Sequence, residues 1–440
     1  MNQILNWLKW LYPGMRVKRW LTAILVGIVL VFVGLLLLAN LPNLNPIDVL
    51  NAIDEWILAH IGIQPNQPGV STALGSSVII VGFALIMFSL WMLNRSVLAS
   101  LLPDGGLKSE NIVDRIFNRR FLAQGQSVVV IGGGTGLSTI LRGLKEYTSN
   151  ITAIVTVTDN GGSSGQLTES TGILPPGDLR NCMVALADDE QNLARAFGYR
   201  FNGQHAEGLR GHSLGNLFIA AMTELNHGDY EKAIEDASKI LAIRGKVYPS
   251  TISKVTLIGE MDDGQCIEGE TQIAATKKKI SRVWLRPENA QPLDEALAAI
   301  RNADAIILGP GSIYTSITPN LLVDGIIDAL DRSKAMKLYV CNVMTQPGES
   351  DGFTASDHVA ALAIHAPGKR LFDFVLVNKM RPAPELLAKY ERSGQKFVEP
   401  DVEKIRAMGY TPILGDFISQ TDVLRHDGGN LTRAIFRNLI

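Results

Sequence analysis

The chain has 440 residues, room for two to four domains at the usual size of about 100–200 residues each. Its 41 basic and 43 acidic residues nearly cancel, which excludes the basic excess of a general nucleic-acid binder, and 46% hydrophobic content excludes global disorder. Cys182, Cys266 and Cys341 are widely separated, so neither a disulfide framework nor a zinc ribbon is expected and a reducing compartment is favoured.

The apolar residues concentrate near the N-terminus. Leu21–Ala39 runs 19 residues and Ala73–Leu93 runs 21, both without a charge, and about 20 helical residues cross a bilayer core. The first run is too long for a signal peptide, and Leu37-Leu38-Ala39 is a poor cleavage site. Arg16, Lys18 and Arg19 precede it and Arg95 follows the second run, whereas Asn40–Thr72 contains no Lys or Arg. The positive-inside rule therefore predicts a multi-pass plasma-membrane protein with both termini in the cytoplasm and the connector outside. Within that connector, Ile47, Leu50, Ile53, Trp56, Ile57 and Ile61 recur at helical spacing after the cap-like Asn45-Pro46. This predicts a short amphipathic helix, on the outer membrane face or packed against the hairpin. Gly27 and Gly34, like Gly75 and Gly82, are seven residues apart and offer each helix a seam of small residues.

The expected organisation is a cytoplasmic N-terminus over residues 1–20, a hairpin over 21–93 (helices 21–39 and 73–93, connector 40–72), a linker over 94–126 and a domain over 127–440. Beyond residue 93 the chain carries 37 basic and 40 acidic residues, so residues 94–440 are expected to be soluble alone.

That domain reads as α/β. Ser127–Ile131, Ile151–Thr158, Ala305–Leu308, Lys337–Val343 and Phe374–Val377 are short apolar, mostly β-branched runs suited to buried parallel strands. Helical spacing over Leu137–Tyr147, Pro292–Ala303 and Pro319–Asp331 alternates with them, which predicts a doubly wound, Rossmann-like parallel sheet. Val247–Leu285, with a turn signal at Asp262-Asp263-Gly264, predicts an antiparallel β insertion.

Three glycine-rich segments follow strands. Gly132-Gly133-Gly134-Thr135-Gly136 opens a helix, where free N–H groups and the helix dipole suit a phosphate. It is neither G-x-G-x-x-G nor a P-loop. Asp159 ends the second strand and runs into the loop Asn160-Gly161-Gly162-Ser163-Ser164-Gly165, and the stretches Asn160–Gly177 and Gly203–Leu214 have the glycine content to move on ligand binding. Gly309-Pro310-Gly311-Ser312 is the third. Loops at the C-terminal ends of parallel strands converge on one crevice, so a phosphate-bearing ligand is expected. Asp159, Asp178, His212, Asp351 and His358 are the acid/base candidates; His212 and Asn216 lie in Gly211-His212-Ser213-Leu214-Gly215-Asn216, a polar segment opening a helix, and His358 reads as structural. No nucleophile elbow, H-E-x-x-H or paired-Glu pattern supports covalent catalysis or zinc hydrolysis.

Six segments, Val130–Ser138, Thr158–Gln166, Leu174–Leu186, Gly211–Leu217, Gly309–Leu322 and Asn342–Val359, resemble the gluconeogenesis factor family, the YvcK-like proteins, relatives of CofD-type 2-phospho-L-lactate transferases. The resemblance spans roughly Val128 to the C-terminus; the hairpin departs from the soluble members. It implies a Rossmann-like domain that binds a nucleotide ligand, UDP-N-acetylglucosamine-like sugars foremost, and a role in carbon metabolism, cell shape and cell-wall precursor supply. It places Gly133, Gly134, Thr135, Gly136, Gly311 and Ser312 at the phosphates, with Asn342, Thr345 and Asn378 lining the same crevice. Asn160 stands where the family pattern usually has a second Asp, which weakens a metal-dependent transfer. The expectation is a non-catalytic regulator with no obligatory cofactor, an unidentified protein partner and no nucleic acid, with homo-oligomerisation left open. The alternative is a CofD-type transferase with a nucleoside-diphosphate-linked donor and Mg2+ at Asp159.

Overall fold

A computed structural model of the chain describes residues 17–39, 70–101, 121–202, 207–420 and 423–438. The chain divides into two units, Met1–Arg115 and Ile116–Ile440.

The first unit holds two long helices, α1 (Val17–Ala39) and α2 (Val70–Leu101), each extending past the predicted apolar run. They pack antiparallel: a Cβ on Gly34 would lie 2.8 Å from the Gly75 carbonyl oxygen, and one on Gly82 would lie 2.8 Å from that of Gly27. The glycine seam therefore lets the backbones touch. The remaining faces stay open, with Leu25 62% and Ile80 68% exposed. Windows Arg19–Leu36 and Gly75–Ser96 have mean hydropathies of 2.4 and 2.3, so both helices are long and apolar enough to cross a membrane. At one end of the pair Trp20 meets Phe88 edge to face and Arg95 lies over the Trp91 ring, an aromatic and basic composition typical of a membrane–water interface. The predicted connector helix and most of the linker fall outside the described residues.

The second unit is built on a seven-stranded parallel sheet. Its strands are β1 (Val128–Gly132), β2 (Ile151–Val155), β3 (Lys246–Pro249), β7 (Ala305–Leu308), β8 (Met336–Val340), β9 (Phe374–Asn378) and β10 (Thr411–Gly415), in the order β10-β9-β8-β7-β1-β2-β3. Between β3 and β7 the chain forms β4 (Thr256–Met261), β5 (Cys266–Glu268) and β6 (Ile280–Arg286), an antiparallel sheet in the order β5-β4-β6. The antiparallel insertion is therefore present, but it begins at Thr256: the run starting at Val247 is β3, an edge strand parallel to β2. Edge position and the short segment between the two strands blur that boundary in the sequence. Thr411–Gly415 and the closing hairpin β11 (Ile418–Gln420) with β12 (Leu424–His426) lacked a sequence signal.

Helices cover both faces of the sheet. Those that shape the site are α3 (Gly134–Leu144), α4 (Gly162–Thr171), α5 (Gly177–Leu186), α6 (Glu190–Phe197), α7 (Leu214–Leu225), α8 (Tyr230–Ile240) and α9 (Glu270–Ala275). The second glycine-rich segment is thus largely the helix α4 rather than an open loop, and Pro319–Asp331 divides into the helices Thr318–Leu321 and Ile326–Arg332, preceded by a π-turn at Ile313–Ile317. Alternate side chains of the fully buried β1 supply two cores. Val129 and Ile131 pack with Ile306, Leu308 and the insertion's Leu257 and Ile273; Val128 and Val130 pack with Ile140, Leu141, Leu179 and Ile219. Burial on both faces explains why these strands read as continuous apolar runs.

The seam between the N-terminal helices yields a prediction. Gly82→Ile places a branched side chain against the backbone of α1 and should lower the unfolding midpoint of the full chain in detergent by the equivalent of about 1–3 kcal/mol. Ile80→Ala, on the open face, should leave the midpoint unchanged.

Candidate functional site

The sheet reverses direction between β1 and β7. From β1 the chain proceeds outward to β2 and β3, then returns through the insertion to β7 on the other side. Loops leaving two such strands diverge and open a crevice at their C-terminal ends. Here the cleft has a volume of about 460 Å³ and is lined by Gly133, Gly134, Thr135 and Gly136 from β1–α3, by Pro310, Gly311, Ser312 and Ser316 after β7, and by Asn342 after β8.

The glycines are set by close approach. Gly134 has φ +65°, and a Cβ on Gly136 would fall 2.4 Å from the Pro310 carbonyl oxygen. Gly133 at the cap position has no side chain to offer α3, so apart from the Gly134 N–H its first-turn N–H groups, which lack intrahelical partners, are left to the cleft. Asn342 steadies the opposite loop, accepting from the Gly311 N–H at 3.3 Å and donating to the Gly311 carbonyl at 2.9 Å. Beneath it, Thr315 donates to the buried Glu349 at 3.1 Å. Asn320, which no sequence pattern indicated, donates to the carbonyls of Gly132 at 3.1 Å and Ser316 at 2.7 Å and so ties the two loops together.

One carboxylate already touches the cradle. Asp178, at the start of α5, accepts the Gly134 N–H at 2.7 Å. Burial pushes its pKa up to about 6, with the nearby Asp159 charge adding to the effect. Glu270, at the start of α9, reaches the cleft from the insertion and accepts from Thr158 at 3.4 Å. Burial, and then the charges of Asp159, Asp178 and Glu349, push it up to about 9, so at neutral pH it is a neutral acid that can donate a hydrogen bond. An anionic ligand thus meets fewer charges than the count of carboxylates suggests.

The far wall comes from the C-terminal segment: Tyr390, Leu424, Arg425 and His426 line the cleft, with Met344 and Gln346. Burial lowers the His426 pKa to about 4, only partly offset by the Phe417 backbone, so the imidazole is neutral. The C-terminal helix Gly428–Asn438 holds this wall in place by packing on α3: a Cβ on Gly143 would lie 2.3 Å from the Gly428 carbonyl oxygen, and Phe436 stacks on Tyr147. Glu270, Arg425 and His426 escaped the sequence reading because chain distance hides them. Glu270 lies 112 residues from its partner Thr158, and the stretch between β11 and β12 contains no Gly or Pro.

Of the residues singled out by sequence, Gly133, Gly134, Thr135, Gly136, Gly311, Ser312 and Asn342 share the cleft. The others serve neighbouring contacts. Asp159 accepts the Gly161 N–H at 2.9 Å. Asn160 accepts the Thr271 N–H at 3.0 Å and donates to Gln272 at 2.7 Å, clamping α9 and its Glu270. His212 meets the Ser163 hydroxyl at 3.1 Å, and Asn216 donates to that hydroxyl at 3.0 Å while accepting from Arg180 at 2.7 Å. Thr345 accepts the Lys396 N–H at 2.9 Å, and Asn378 accepts the Phe417 N–H at 3.0 Å; both are buried and brace the C-terminal segment rather than line the cleft. His358 is fully buried, with Nδ1 2.8 Å from the Thr354 carbonyl, and Asp351 accepts the Gly348 N–H. Among the described residues no three His, Cys, Asp or Glu side chains form a group able to hold a metal. Asp159 and Asp178 each have one oxygen engaged by a backbone N–H; such a pair fits Mg2+ only with ligand phosphates completing its shell, not as a protein cage.

This arrangement is that of an open α/β protein with a glycine-lined crevice at its topological switch point. Residues 128–418 match the family described as 2-phospho-L-lactate transferase CofD. The chain is 47% identical over 70% of its length to the gluconeogenesis factor of Bacillus subtilis, covering 96% of that protein. A relative of the same description from Nostoc sp. is 42% identical across 99% of this chain and 93% of its own length. A crystal structure of a UPF0052 family member from Bacillus halodurans is 47% identical, superposes with a TM-score of 0.67 and covers 71% of this chain and 99% of that one. The chain belongs to the gluconeogenesis factor family and carries its CofD-type domain.

Two outcomes follow from the geometry. Gly136→Ala should force the two loops apart, costing about 1–3 kcal/mol by denaturant unfolding. Because the folded pKa of Asp178 lies above its ordinary value of 3.8, the stability linked to its protonation is full below about pH 4 and lost as pH rises through about 6. Asp178→Asn, which keeps an acceptor for Gly134, should flatten that part of the stability profile; an unchanged profile would assign the pH dependence elsewhere.

Proposed function

We propose that this protein is a membrane-anchored regulator that binds a nucleotide sugar of the UDP-N-acetylglucosamine type and links carbon metabolism to cell-wall precursor supply and cell shape. One observation carries the reading: two glycine-rich strand ends, Gly133–Gly136 and Gly311–Ser312, face one cleft whose opposite wall supplies Arg425, the only cation among the described lining residues. Backbone N–H groups and the helix dipole suit a diphosphate, Arg425 adds a charged fork, and neutral His426 with Tyr390 suits the planar and hydroxyl-bearing remainder of such a ligand. The hairpin holds the domain, residues 127–440, at the cytoplasmic face with both termini inside, and a protein partner reads the ligand-bound state. No obligatory cofactor is needed for this role.

A CofD-type transferase is the second reading, supported by the family match and by Asp159 and Asp178 beside the cradle. Asn160 speaks against it, since its amide is committed to α9 and offers no charge to a metal.

The test is thermal unfolding of the full chain in detergent with UDP-N-acetylglucosamine, guanosine diphosphate or NAD. A ligand at about 100 times its dissociation constant adds about 2.7 kcal/mol. The regulator predicts a shift with the UDP-sugar, without magnesium and without turnover, and its reduction by at least about tenfold in affinity on Arg425→Ala. A magnesium-dependent response confined to guanosine diphosphate would replace it with the transferase.

A further inference from the structure

The helix α7 is apolar on both faces. Its inner face, Gly215, Ile219 and Met222, is buried against the domain. Its outer side carries Leu214, Ala221 and Leu225, which fall on one side of the helix beside the half-buried Phe218, itself packed on Phe197 of the domain core. Leu225 is 72% and Leu214 39% exposed, and Tyr199, beside Leu214 through the hydrogen bond from the Leu214 N–H to its carbonyl, is 53% exposed and edge to face with Phe201. A helix that is apolar nearly all round but buried on one side only leaves an apolar surface to be covered.

We propose that the second cover is another copy of this chain, paired through antiparallel α7 helices about a two-fold axis near Ala220 and Ala221. Charge selects this occupant. The N-terminal end of α7 is flanked by exposed Arg200 and Arg210, the C-terminal end by exposed Glu224 and Asp229. An isologous, antiparallel pair therefore sets each copy's basic end against the other's acidic end, and a parallel pair would oppose like charges. Within the helix only Glu224 is charged, and the small side chains at 220 and 221 allow close approach where the helices cross. Leu225 of one copy then covers the Tyr199 and Phe201 pair of the other.

The pairing reaches the ligand cleft's neighbourhood. Ser213 and Asn216, on the start of α7, take two hydrogen bonds of 2.7 Å from Arg180 of α5, and Asn216 donates to Ser163 of α4. Association of two copies fixes the helix that holds these side chains. The inference rests on α7 and its charges alone and stands whichever ligand the cleft takes.

The experiment is sedimentation velocity of the full chain in density-matched detergent, with cross-linking. Wild type should be dimeric, and Ala221→Glu and Leu225→Lys should each give monomers with an unchanged unfolding midpoint. Glu224→Arg should weaken association about tenfold, and adding Arg210→Glu should restore it, since two symmetric ion pairs are involved. In a Cys266→Ser background, Ala221→Cys should form an intermolecular disulfide while the exposed control Lys239→Cys should not. A monomeric wild type, a dimer that survives both Ala221→Glu and Leu225→Lys, or no Ala221→Cys cross-link would overturn the proposal.

Discussion

The contact on which the second unit depends is the approach of two backbone loops at the reversal of the sheet. Gly136 lies so near the Pro310 carbonyl that no side chain fits between them, and Asn320 bridges the end of β1 to the turn after β7. With the loops locked together, the start of α3 and the backbone around Gly311 face one space. The same contact leaves Asp178 on the Gly134 N–H, placing a carboxylate of raised pKa at the cradle. Packing and electrostatics are coupled here: the steric demand for glycine leaves backbone donors at the cleft, and burial raises the pKa of Asp178 and Glu270 beside them.

The other elements of the site are delivered by distant parts of the chain. The insertion brings Glu270, which Asn160 clamps in place through α9. The C-terminal helix, seated on Gly143 of α3, brings the β11–β12 hairpin with Arg425 and His426. A parallel sheet favours this mode of assembly, because every strand end opens at the same edge and successive loops contribute one residue at a time. The CofD-type domain is built on such a scaffold.

The N-terminal unit follows different physics. Its helices meet through Gly27, Gly34, Gly75 and Gly82, where missing side chains let the two backbones approach, and their outward faces stay apolar. The match of the Nostoc relative along nearly the whole chain shows that this unit is shared beyond the present protein.

The sequence by itself determined the class of the fold, the two apolar helices with their glycine seam, and the glycine loops after β1 and β7, since each is written in a local period or in a residue type that only one backbone geometry demands. It also carried the motifs that mark the family. Tertiary structure decided the rest. Val247 begins a parallel edge strand and not the insertion, and the segment after Asp159 is a helix; neither outcome follows from short runs whose partners lie far along the chain. Thr345 and Asn378 end up bracing the C-terminal segment, while Glu270, Arg425 and His426 enter the cleft. Glu270 meets Thr158 across 112 residues, Thr345 and Asn378 meet their partners across 51 and 39, and the shifted pKa values depend on burial, a property that no single stretch of sequence holds.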